Sequence, residues 1–285
     1  MRSYGSAAVR LCAAAGVAGL LTLRPSSAPA QLPLEPPRDS GNSVTPAYEG
    51  WFQNADGTYA LLVGYFNRNM KETLDIPIGP DNRIEPGGPD LGQPTHFLPR
   101  RQWGVFVIKV PADFGTKKYT WTIVSNGKTH SIPLGLQKGY QVEPYKDAAM
   151  GNEPPTIKLT PDGSVFKGPP MGPASVTLEA TVGTPRELVS WVHDDAVEEP
   201  GEAPTGPNAP PPLSTAWTKY RGPGAVTFSE ARPKIDKADG KATTTAIFDT
   251  PGDYILRVQA NDSTGEGGGG FQCCWTNTYV KVNVK

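Results

Sequence analysis

Residues 224–285 allow few ways of folding. Short apolar runs at 225–228 and 243–248 lead into the turn Thr250-Pro251-Gly252-Asp253-Tyr254. After it, Tyr254, Leu256, Val258 and Ala260 alternate with Arg257, Gln259 and Asn261. Only Ile255 breaks the polar side. A period of two over eight residues is the signature of a half-buried strand. Pro presets φ for the turn before it, and Gly accepts the positive φ that follows. A chain built this way packs sheet on sheet.

Composition agrees. The 285 residues hold 32 Gly and 31 Pro, spread between short apolar runs. That is the composition of turn-dense all-β structure rather than of a disordered chain. No amphipathic helix of useful length is present. The formal charge is −1, with three of the 27 basic residues (Arg2, Arg10, Arg24) inside the first thirty positions, which hold no acid. The remainder is net acidic, so it has no basic field for nucleic acid or anionic lipid.

Those first residues, 1–30, read as a signal peptide. They have a basic start, an apolar core over 11–23 and a small-x-small end, Ala28-Pro29-Ala30. The core is short for a bilayer span. Cys12 opens the core instead of following it, unlike a lipoprotein cysteine. The expectation is an exported bacterial chain, secreted, periplasmic or on the cell surface. It is cleaved near Ala30, has no membrane span in the mature form, and keeps only Cys273 and Cys274.

Residues 31–46 are a Pro-rich tether. A first Ig-like β-sandwich is expected over 47–145. It has an Asp-Gly turn at Asn54-Ala55-Asp56-Gly57 and an Asn-Gly hairpin at Ser125-Asn126-Gly127. The run from Tyr59 to Phe66 is apolar on both faces, as in a central strand. Leu74, Ile76 and Ile78 alternate, and Pro77 puts that strand at an edge. His96 and His130 read as structural. A polar, Pro-containing linker covers 146–155, and a second sandwich covers 156–285.

Trp217-Thr218-Lys219, Gly222-Pro223-Gly224-Ala225-Val226-Thr227-Phe228, Thr243-Thr244-Thr245-Ala246-Ile247-Phe248 and Pro251-Gly252-Asp253-Tyr254-Ile255-Leu256-Arg257-Val258 occur in that order. Together they resemble the PKD-type Ig-like domain of secreted and cell-surface proteins; the first half is only generically Ig-like. The resemblance implies structural or adhesive work beside other proteins and no particular chemistry. The residues themselves place Tyr254 at a tyrosine corner and Trp217 on strand C. Leu178, Trp217, Tyr254, Leu256 and Val258 are expected to be buried.

With 175–181 as strand B and 216–220 as strand C, residues 182–214 become the B–C loop and 263–276 the F–G loop. In an Ig sandwich these loops share one end. That end would gather Trp191, His193 and Asp194 with Phe271, Cys273, Cys274 and Trp275 into a binding surface. Adjacent cysteines in an oxidising compartment are expected to form a vicinal disulfide. Three readings stay open: an inert stiffener of a glycine-rich loop, a flat platform beside Trp275 for a sugar or aromatic ligand, or a metal or redox site with His193. Zinc wants three or four convergent ligands, and alternation splits His193 from Asp194. No nucleophile elbow, zinc-protease helix, phosphate loop or calcium loop is present. The chain reads as a non-catalytic binding, adhesion or accessory module without a cofactor, meeting a protein or glycan partner outside the cytoplasm.

Overall fold

Turn chemistry sets the first sheet. In the computed structural model, which describes residues 38–147, 151–172, 174, 176–195, 211–262 and 273–285, Asn54–Gly57 closes a hairpin between β1 (Val44–Gln53) and β2 (Tyr59–Asn67). Residues 1–30, expected to be a signal peptide, lie outside the described residues, as do 196–210 of the expected B–C loop and 263–272 of the expected F–G loop, which include Phe271 and the glycine run 267–270. β3 (Leu74–Asp75), β4 (Asn82–Glu85), β5 (His96–Phe97) and β6 (Arg100–Val110) follow, then the hairpin of β7 (Tyr119–Ser125) and β8 (Lys128–Leu134). Asn126 and Gly127 both take positive φ, 47° and 72°, as a type I′ turn requires. Sheets β1-β2-β6 and β4-β7-β8 enclose Leu61, Val63, Tyr65, Phe106 and Trp121. β2 is central, as its two apolar faces predict. Leu61 and Val63 face this core, while Ala60 and Leu62 pack with Phe52 under Val142 and Tyr145. The Leu74–Ile78 run is strand for only its first two residues.

The second half runs β9 (Thr156–Lys158), β10 (Phe166–Lys167), β11 (Val176–Ala180), β12 (Arg186–His193), β13 (Leu213–Arg221), β14 (Val226–Phe228), β15 (Lys241–Phe248), β16 (Gly252–Asp262) and β17 (Trp275–Val284). Sheet β10-β9-β12-β15-β14 faces sheet β11-β17-β16-β13. Within these, β9-β12-β15-β14 and β17-β16-β13 are the A-B-E-D and G-F-C orders of an Ig sandwich. Trp217, Tyr254, Leu256 and Val258 are buried in its core. The Tyr254 hydroxyl donates to Thr250 O at 2.8 Å and accepts from Gly224 N–H at 3.1 Å, which is the tyrosine corner.

Strand B is corrected. The 176–180 segment pairs parallel with β17, Val176 opposite Val280, so it lies in the G-F-C sheet. Strand B is β12, inside the stretch read as loop. Its inward residues are Leu188, Ser190 and Val192, and Ser190 is 0 % exposed. A buried polar residue at the middle inward position hid the period of two. Leu178 is half-buried, and Leu188 supplies the buried strand-B leucine. Among the described residues there is no α-helix, only a 3-10 turn at Lys138–Tyr140, and no helix long and apolar enough to cross a membrane.

The outer face of β13-β16-β17 is not left to water. Arg257, Gln259 and Asn261, the polar side of the founding alternation, are all buried, Arg257 to 3 % exposure. The first half packs on this face, and the described residues from both halves form one compact unit. Arg257 Nη2 donates to Gln102 Oε1 at 2.9 Å, and the Tyr279 hydroxyl donates to Val105 O. Tyr220 and Tyr279 meet with ring centroids 4.7 Å apart. Arg221 forks onto Asp90 at 2.8 and 3.0 Å, the bidentate geometry that orients as well as attracts.

Beneath this junction the first sheet opens around one acid. β1 bulges between Tyr48 and Gly50, and the β2–β6 register skips between Val63 and Tyr65. Into the gap goes Glu49, whose side chain is 0 % exposed and pairs with Arg101 Nη2 at 2.9 Å. Gly64 leaves the room; a Cβ there would collide with Glu49 Oε1. Burial pushes the Glu49 carboxyl from 4.5 up to about 7, against the pull of Arg101 and of a hydrogen bond from the Gly104 backbone. The folded chain therefore holds a proton between about pH 4.5 and 7 that the unfolded chain has released. We expect the stability contributed by this group to rise as pH falls from about 7 to 4.5, and to be lost as pH rises. Urea unfolding at several pH values in this window should show that slope, and Glu49→Gln should remove it.

Candidate functional site

One short peptide ties together the strand ends that flank the undescribed residues 196–210 and 263–272. β12 stops at His193, followed by Asp194 and Asp195, while at the same level of the facing sheet Leu213 sits opposite Asp262 and Asn261 opposite Trp275. Residues 151–155 cross this end. Asn152 Nδ2 donates to Asp262 Oδ2 at 2.7 Å, and the next residue's backbone, Glu153 N–H, donates to Asp195 Oδ2 at 3.1 Å. Consecutive residues thus tie the last acid of β16, Asp262, to Asp195 beyond β12. No sequence motif marks Asn152 and Glu153 for this; they sit in what reads as a spacer.

Cys273 and Cys274 form the vicinal disulfide, across a cis peptide. Their sulfurs lie 3.8 and 3.5 Å from Asn152 O. A disulfide carries no S–H, so these are packing contacts. The expected exposed platform is corrected here: Cys274 is 1 % and Trp275 3 % exposed, and Cys273 is buried with them. Trp275 packs on the first half and the disulfide on Asn152. Trp275 lies against Gly104, where an added Cβ would come within 2.7 Å of Trp275 Cζ2. Gly104 also has φ +49°, a left-handed conformation that costs a residue with a Cβ. Its carbonyl accepts from Asn277 Nδ2 at 3.0 Å. Burying an indole removes some of the largest apolar area any side chain offers, which is why the tryptophan turns inward once a second sandwich is there to cover it.

What stays at the surface is the β12 side of the end. Trp191 is half-buried and points outward, flanked across the sheet by Lys158 and Lys241. His193 is exposed and Asp194 is half-buried. Among the described residues no group of three or more His, Cys, Asp or Glu side chains is placed to hold a metal ion. Of the seven predicted contact residues, the structure buries Cys273, Cys274 and Trp275 and puts Trp191, His193 and Asp194 at the C-terminal end of β12, an inner strand of the A-B-E-D sheet; Phe271 is outside the described residues. Sequence reasoning missed Gly104, Glu49 and Arg101. The faint signals were an acid inside the apolar run Ala47–Phe52 and a glycine inside Trp103-Gly104-Val105.

Gly104→Ala combines backbone strain with a clash, so we expect a loss of about 2–4 kcal/mol in stability. In a Trp275→Ala background the clash disappears, and the added cost of Gly104→Ala should fall to about 1 kcal/mol. Chemical denaturation of the four proteins of this double-mutant cycle measures the difference.

No protein-family model matches this sequence, and neither does any curated protein sequence. Among solved structures, the chain is similar to domains 4 and 5 of the S-layer protein SbsC, at 12% identity over 85% of this chain and 98% of that one, with a TM-score of 0.25. It is also similar to the S-layer protein rSbsC(31-844), at 13% identity over 86% of this chain and 28% of that one, TM-score 0.24. A third likeness is to the titin Ig tandem A164-A165, at 9% identity over 86% and 99%, TM-score 0.23. The Ig-type assignment of the second half rests on its own strand order and tyrosine corner.

Proposed function

We propose that this chain is an exported, non-catalytic binding, adhesion or accessory module of the bacterial cell envelope, built from two consecutive sandwiches. The observation that carries this reading is the junction. A sheet face and a tryptophan of the second half are packed and hydrogen-bonded against the first half, as suits a spacer or presenter. An adjacent-cysteine disulfide fits an oxidising compartment, as does the leader-like segment 1–30. The tyrosine corner and the ordered motifs from Trp217 to Val258 support the PKD-type reading of the second half. The partner, a protein or glycan, meets the loop end on its β12 side, through Trp191, His193 and Asp194.

The chain expressed in bacteria with residues 1–30 present is expected to be recovered outside the cytoplasm with Gln31 at its N-terminus and no titratable thiol. The mature protein should then bind isolated cell envelopes, and Trp191→Ala should weaken that binding about tenfold, the usual cost of losing an aromatic anchor. Recovery in the cytoplasm with an intact leader, or two free thiols in the native protein, would overturn the export reading. Unchanged envelope binding by both Trp191→Ala and His193→Ala would overturn the contact surface.

A further inference from the structure

A second site lies away from the loop end. A cleft of about 560 Å³ opens where β13 and β14, the edge strands of the second sandwich, meet β3 and β5 of the first half. Its size falls among small-molecule sites, which favour such junctions. Leu98, Pro223, Val226 and Phe228 make its apolar wall. Its polar end is a cluster of three titratable groups. Asp75 Oδ1 accepts from His96 Nδ1 at 2.8 Å and from Lys219 Nζ at 3.0 Å. Lys219, only 6 % exposed at the side chain, also donates to Gly224 O at 3.0 Å. An ammonium has three donors, so one is left over. A carboxylate only accepts, so Nδ1 of His96 carries a proton toward Asp75. Trp217 also lines the cleft, and its buried indole Nε1–H has no hydrogen-bond partner among the described residues.

Donors and acceptors are therefore mixed, and the charges of Asp75 and Lys219 offset each other. An anion would meet the Asp75 carboxylate. A cation would meet Lys219. A hydroxyl both donates and accepts, so several hydroxyls on one ring satisfy the whole set, while the ring's C–H face lies on Phe228 and Val226. We propose that this cleft binds a neutral saccharide of one or two rings, held by the Asp75–His96–Lys219 cluster. The site shares no residue with the loop end, so either can fail without the other.

Calorimetric titration of the mature chain with glucose, galactose, mannose, N-acetylglucosamine, maltose and cellobiose tests it, with glucuronate as the anionic control. At least one neutral sugar is expected to bind with a Kd of about 0.1–1 mM. Val226→Trp, which fills the cleft, and Lys219→Met should each weaken it about tenfold or more, or 1.4 kcal/mol, while Trp191→Ala leaves it unchanged. Because Lys219→Met also removes an ion pair between the halves, sugar-induced shifts of the His96 ring resonances in the unmutated protein supply a readout that needs no variant. Binding by none of the neutral sugars, tighter binding of glucuronate, survival of binding in Val226→Trp, or binding that leaves the His96 resonances in place would each overturn the proposal.

Discussion

The contact between Trp275 and Gly104 is where the two halves of this molecule become one body. Around it the outer face of the G-F-C sheet, which an isolated Ig sandwich leaves to solvent, is buried along most of its length. Arg257, Gln259 and Tyr279 have polar atoms that need partners away from water. Gln102 and Val105 supply partners for Arg257 and Tyr279. Arg221 on Asp90 adds a directional pair further along. Hydrophobic burial holds the halves together, and the polar set fixes how they face each other.

That junction determines what the unusual sequence features are used for. The vicinal disulfide and its neighbouring tryptophan resemble a ligand platform when read alone. In the structure they are buried, the disulfide against Asn152 and the tryptophan against Gly104. Glu49 belongs to the same construction. A carboxylate placed in a gap of its own sheet, paired with Arg101, lies in the first half's interior near the contact with the second. Burial without full compensation raises its pKa, since a desolvated charge is costly even beside an arginine. The surfaces the junction does not consume are the end of β12, with Trp191 and His193, and the cleft at the open edge of the second sandwich; the proposed contacts are placed there.

Much of the fold was legible locally. Turn pairs such as Asp56-Gly57 and Asn126-Gly127 require backbone conformations that only a few residues adopt, so the hairpins they close are written in two letters. The buried set of Trp217, Tyr254, Leu256 and Val258 followed from alternation and a tyrosine corner. Strand B was not legible. Ser190 at its inward midpoint breaks the hydrophobic period, and a cleaner alternation at 176–180 belongs to the neighbouring sheet. The candidate site was half legible. That the B–C and F–G loops share an end follows from Ig topology even with strand B misplaced, because strands C, F and G were placed correctly.

Alternation with period two, glycine and proline at the turns, and paired cysteines determined that this chain is all-β, how its hairpins close and which residues line the second core. These depend on neighbours within a few positions, so the order of residues suffices. Which side of an outward face meets water depends on what folds over it from far along the chain. Gly104 under Trp275, Glu49 beside Arg101, and Asp75 between His96 and Lys219 unite residues separated by dozens of positions or brought together by register shifts. No local period encodes such meetings, and only the packed tertiary structure decided them.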